Sequence, residues 1–85
     1  MTPSEIKSLA AGRAVRPVDV ARRAAEILGY ARPPKGRLRS LEVAAGIVRD
    51  AGPGRSADRH ALAQAWSELL GVTLERLWPP STRNT

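Results

Sequence analysis

Ser56, Asp58 and His60 are the only serine, acid and histidine set close together in this sequence. A hydrolytic triad needs a nucleophile, a base and an orienting acid that converge. Here all three stand at the start of one expected helix, where serine and aspartate serve as caps. Other chemistry lacks material as well. There is no cysteine, which removes disulfides, thiol nucleophiles and thiolate zinc sites, and fits a reducing cytosol. His60 is the single histidine, too little for a metal site. The AGPGR stretch is neither a G-x-x-x-x-G-K-S/T loop nor flanked by strands. No pair of carboxylates is set in apolar surroundings. The sequence therefore predicts no catalytic residue, no metal and no cofactor, and the protein is not expected to be an enzyme.

What remains is arginine. The net charge is +6, and its placement says more than its size. Residues 1–40 hold nine Lys/Arg against three Asp/Glu, while residues 41–85 hold five of each. The excess is densest between Arg22 and Arg39. A one-sided basic surface suits a polyanion, because phosphates neutralised by the protein release condensed counterions. The 12:2 ratio of Arg to Lys fits a GC-rich codon bias, which explains the asymmetry less well than it explains Arg over Lys. Single-stranded nucleic acid calls for exposed aromatic platforms. Tyr30 is the one candidate, since Trp66 and Trp78 sit at core spacing. A helix in the major groove of duplex DNA needs basic and polar side chains instead, so duplex DNA is favoured over RNA.

Five short helices must position these groups. Thr2-Pro3-Ser4-Glu5 carries a capping threonine, a proline at the first helical position and a glutamate at the third. Ile6, Leu9 and Ala10 form its stripe, and Gly12 suits a left-handed residue past its end. The second helix starts near Pro17, carries Val20, Ala24, Ile27 and Leu28 on one face, and stops at Gly29. The YARPPKG stretch follows as a loop. The third helix begins between Pro34 and Ser40, lines one side with Leu38, Leu41, Ala45 and Val48, and ends near Ala51. The fourth is capped by Ser56, buries Leu62, Trp66, Leu69 and Leu70, and stops at Gly71. The fifth is capped by Thr73, faces Leu74, Leu77 and Trp78 inward, and ends at Pro79-Pro80. Nothing alternates with period two. The fold class is all-α, a compact five-helix bundle over residues 1–80, with 81–85 a flexible tail. The aromatic content of 4% means Leu, Ile, Val and Ala make the core. No apolar run approaches the ~20 residues of a membrane span, and MTPSEIKSLAAGR is unlike a secretion signal. A cytoplasmic, nucleoid-associated protein is expected.

Two segments resemble known patterns. VARRAAEILGY is similar to the first helix and turn of a helix-turn-helix unit, with Ala25 at the crossing and Gly29 four positions on. ALAQAWSELLGVTLERLWPP resembles the last two helices of the lambda-repressor-like family, including small phage regulators that end in Trp-Pro. In size and Arg/Ala-rich style the chain also resembles the small repressors of broad-host-range plasmids. The resemblance implies a helix-turn-helix within the five-helix domain, dimeric binding to an inverted-repeat operator, and transcriptional regulation, most simply repression. The chain departs from the family at the turn, where Tyr30–Gly36 delays the recognition helix.

In this register the third helix reads DNA. Arg37, Arg39 and Ser40 lie off its apolar face near its start, and an arginine fork matches guanine O6 and N7. Arg22, Arg23, Arg32 and Lys35 are expected on phosphates. The bland alternative for each is an ordinary solvated charge. A rival register makes Gly52-Pro53-Gly54 the turn, with Arg55, Ser56, Arg59 and His60 in the groove. A chain this small reads few base pairs alone, so a homodimer is expected, with Leu74 and Trp78 as its seam. No small-molecule effector is expected. The competing functions are a small protein-binding module, such as an inhibitor or antitoxin, and a non-specific nucleoid-type binder.

Overall fold

A computed structural model of the chain describes residues 1–79. Those residues form α1 (Pro3–Gly12), α2 (Pro17–Ile27), α3 (Lys35–Ala51), α4 (Ala57–Leu70) and α5 (Leu74–Leu77), with no strand among them. Pro80 and the tail expected at 81–85 lie outside the described residues.

Local chemistry sets most boundaries. Thr2 Oγ1 accepts from the Glu5 N–H at 3.2 Å, and Glu5 Oε1 accepts from the Thr2 N–H at 2.7 Å, a reciprocal cap for α1. Asp19 closes the start of α2 by accepting from the Arg16 N–H at 2.9 Å. Ser56 caps α4 through the Arg59 N–H at 3.0 Å, and Thr73 caps α5 through the Arg76 N–H at 3.3 Å. α2 and α4 each end on a left-handed glycine, Gly29 (φ 95°) and Gly71 (φ 69°). In both, the following N–H returns to the helix, Tyr30 to Ala25 O at 2.9 Å and Val72 to Ser67 O at 3.2 Å.

α1 departs from expectation at its end. Gly12 is its last helical residue, and the left-handed position falls on Ala14 (φ 55°). The Val15 N–H then bonds to Ala10 O at 2.9 Å, and Val15 packs onto the core. That closure and contact hold alanine in a conformation L-residues seldom adopt.

α2, α3 and α4 pack on one another, with α1 laid against α3 and α5 against α4. The fully buried set centres on Trp66, with Ile6, Val20, Leu41, Val48, Leu62, Leu70 and Leu77. Half of the sixteen buried hydrophobic residues are alanines, so much of the core is built from small side chains. Trp66 is fully buried, and its indole N–H donates to Ala45 O at 3.0 Å, which ties α4 to α3. No buried side-chain polar atom among the described residues lacks a partner. Two expected core residues are corrected. Leu69, on the last turn of α4, is 36% exposed, and Leu74, at the first position of a single-turn α5, is 43% exposed. A helix of one turn presents one residue fully to the core, and here that residue is Leu77.

Candidate nucleic-acid interface

Tyr30 in the loop before α3 and the first turns of α3 and α4 come together. Arg37 joins all three. Its Nη1 donates to Asp58 Oδ2 at 2.8 Å, its Nη2 to Asp58 Oδ1 at 2.6 Å, and its Nε to the Tyr30 hydroxyl at 3.1 Å. The guanidinium carbon lies 5.4 Å from the centroid of the Tyr30 ring. The fork holds the Asp58 carboxyl below its ordinary range, and these bonds raise the Arg37 guanidinium further above its own. Arg37 thus occupies its guanine-matching edge with a carboxylate of its own chain, and Tyr30, the one stacking candidate, is held by the same side chain.

Arg23 is likewise engaged. It donates to Glu68 at 2.6 Å and to Glu26 at 3.0 Å, and Gln64 donates to Glu68 at 3.1 Å. A phosphate at Arg23 would have to compete with two carboxylates. The remaining cations of the first register stand differently. Arg22, Arg32, Lys35 and Arg39 are exposed and make no salt bridge among the described residues, and Ser40 is exposed beside them. Arg22 and Arg32 flank a shallow cleft of about 400 Å³ with Tyr30, Pro33 and Leu38.

α3 shows a broad outward face. Gly36, Ser40, Val43 and Ile47 follow one line along it, opposite Leu41, Ala45 and Val48. Arg39 borders that line. The first two turns of this face carry no acid.

The rival set is arranged less openly. α4 is the inner helix, with Ala61, Leu62, Ala63, Ala65, Trp66 and Leu70 all buried, so its exposed strip is narrow. Ser56 is used as its cap. Arg59 is half-buried and lies against Gly54, while Arg55 is exposed. His60 lines an open apolar groove of about 300 Å³ between α4 and α5, with Pro53, Ala63, Leu74, Glu75 and Trp78. The two residues expected at a dimer seam are therefore neighbours on one groove. Trp78 is half-buried there, its indole N–H 3.4 Å from Arg49 O.

The Arg37–Asp58 pair, and with it the closeness of the two registers, was not foreseen, because it joins residues 21 positions apart. The exposed Val43 and Ile47 were also missed, though their spacing opposite Leu41 and Ala45 made them readable. Among the described residues no group of three or more His, Cys, Asp or Glu is placed to hold a metal. No helix there is long and apolar enough to cross a membrane. Comparison with family models, curated proteins and solved structures gives no match to this chain.

Proposed function

We propose that this protein is a sequence-specific double-stranded DNA-binding regulator, a helix-turn-helix repressor that binds an inverted-repeat operator as a homodimer in the cytoplasm. One observation carries the reading. The first two turns of α3 present Arg39, Ser40 and Lys35 outward with no acid partner, and Arg32 stands exposed in the preceding loop. These groups are of the right kind for major-groove edges and phosphates. The Arg37–Asp58 pair braces the same turn against α4, so the reading groups stand on a fixed base rather than a loose loop. In this arrangement Arg39 and Ser40 read bases, Arg22, Arg32 and Lys35 grip phosphate, and Arg37 acts as a positioning residue.

Selection from a pool of random duplexes tests this. An enriched inverted repeat supports the dimeric regulator. Retention without enrichment would instead indicate a non-specific binder, and no retention at low salt would end the DNA reading.

The open groove at His60, Leu74 and Trp78 supports a second reading, a protein partner bound by an apolar contact. Salt separates the two. Affinity resting on phosphate contacts falls steeply between low and moderate salt, and affinity resting on an apolar groove does not.

A further inference from the structure

The exposed line of α3 contains residues that the fold itself does not explain. Val43 is 59% exposed and Ile47 43%. Neither is a strong helix former, and a solvent position on a helix ordinarily takes a better one. Gly36 stands on the same line with no positive φ, and an added Cβ there would meet nothing within 4 Å. Local choices that oppose the local structure concentrate where a surface is used.

The surroundings say what would use it. Val43 lies one turn beyond Arg39 and Ser40 on the same exposed side, at the border of the acid-free first two turns. The nearest acid on that side is Glu42, half-buried at the border; Asp50 lies at the far end, paired with Arg49 at 3.0 Å. An exposed arginine and serine followed one turn on by an apolar branched side chain fit a duplex whose major groove offers one apolar group, the thymine C5-methyl. Gly36, without a side chain, lets the start of the helix come close to the groove.

We propose that Val43 is a specificity-determining residue that reads a thymine methyl in the operator. This rests on the DNA-binding reading above. With a rise of about 1.5 Å per helical residue against ~3.4 Å per base step, that thymine falls within about two steps of the base read by Arg39.

The probe is the duplex enriched in the selection, remade with deoxyuridine in place of each thymine in turn. Uracil pairs as thymine does and lacks only the methyl. One replacement per half-site is expected to weaken the wild-type protein roughly fourfold, the effect of burying about one methylene. Val43→Ala should lose a similar factor on the thymine duplex and be indifferent to that replacement. Val43 is exposed, so this variant keeps its fold, and its melting temperature confirms it. An enriched operator with no uracil position coupled to Val43 overturns this inference and leaves the DNA reading standing. A Val43→Ala variant altered in self-association but not in base preference overturns it in favour of a contact between copies. No enriched duplex at all removes both readings.

Discussion

Arg37 on α3 and Asp58 on α4 form a two-pronged ion pair with N···O distances of 2.8 and 2.6 Å, and Tyr30 closes the third side through its hydroxyl. This pair fixes the mutual position of the first turns of α3 and α4. Both side chains remain about a third exposed, so solvent screens the attraction and its main effect is geometric.

The pair has a pH signature. The folded Asp58 carboxyl titrates below its unfolded value because Arg37 bonds its charged form. A depressed carboxylate contributes stability above its unfolded pKa, and that contribution is lost as pH falls through the folded value. The loss should fall below about pH 4. Asp58→Asn is expected to lower the melting temperature at neutral pH and to narrow its gap from the wild type in acid. Asp19, Glu5 and Glu68 are depressed as well, so both proteins lose stability there. Thermal melts of the two proteins from pH 7 to pH 2 check this. A gap that stays constant would mean the carboxylate charge is not what matters.

Arg39 and Arg37 should differ in kind on DNA. Arg39→Ala is expected to cost ~1–3 kcal/mol of operator affinity and to relax preference at one base pair. Arg37→Ala should weaken operator binding together with thermal stability. Lys35→Ala should weaken all duplexes alike and reduce the salt slope by about one. Titrations at several salt concentrations separate these effects. Unchanged operator affinity for both arginine variants would move the reading helix to Arg55 and Arg59.

Gly46 lies inside α3 with no positive φ, and an added Cβ would meet nothing within 4 Å. Gly46→Ala should therefore stabilise the fold by about 0.5–1 kcal/mol. Denaturant unfolding measures it directly. Destabilisation would show that the site is more crowded than the backbone indicates.

Leu74 gives a test of self-association that spares the core. It is 43% exposed beside the groove lined by His60 and Trp78. Leu74→Glu is expected to leave the helical content unchanged. If α5 is the two-fold seam, it should also shift sedimentation towards monomer and weaken operator binding. A dimer that survives the change would place the seam elsewhere.

The helix boundaries were legible because glycine, proline and hydroxyl caps mark them, as at Thr2, Ser56 and Gly71. The α1 end was misread because the tertiary seat of Val15, not the presence of a glycine, chose Ala14 for the left-handed position. Leu69 and Leu74 were misplaced because periodicity gives the side of a helix and not whether a neighbour reaches that far. The basic surface was legible as charge, but its division into free and engaged arginines was not. Arg23 finds Glu68 across 45 residues and Arg37 finds Asp58 across 21, and nothing local announces either pairing.

The alanine content of the core has a practical consequence for mutagenesis. Alanine scanning deletes atoms, and at Ala24, Ala45 or Ala65 there are none to delete. The vulnerability of this protein runs the other way. These positions are fully buried, so an enlarged side chain has to be accommodated by strain or shifts around it, and enlargement, not truncation, is expected to expose the weak points. For the same reason enlargement at each of these alanines is expected to cost about 1–3 kcal/mol, a constraint that half of the buried hydrophobic positions share.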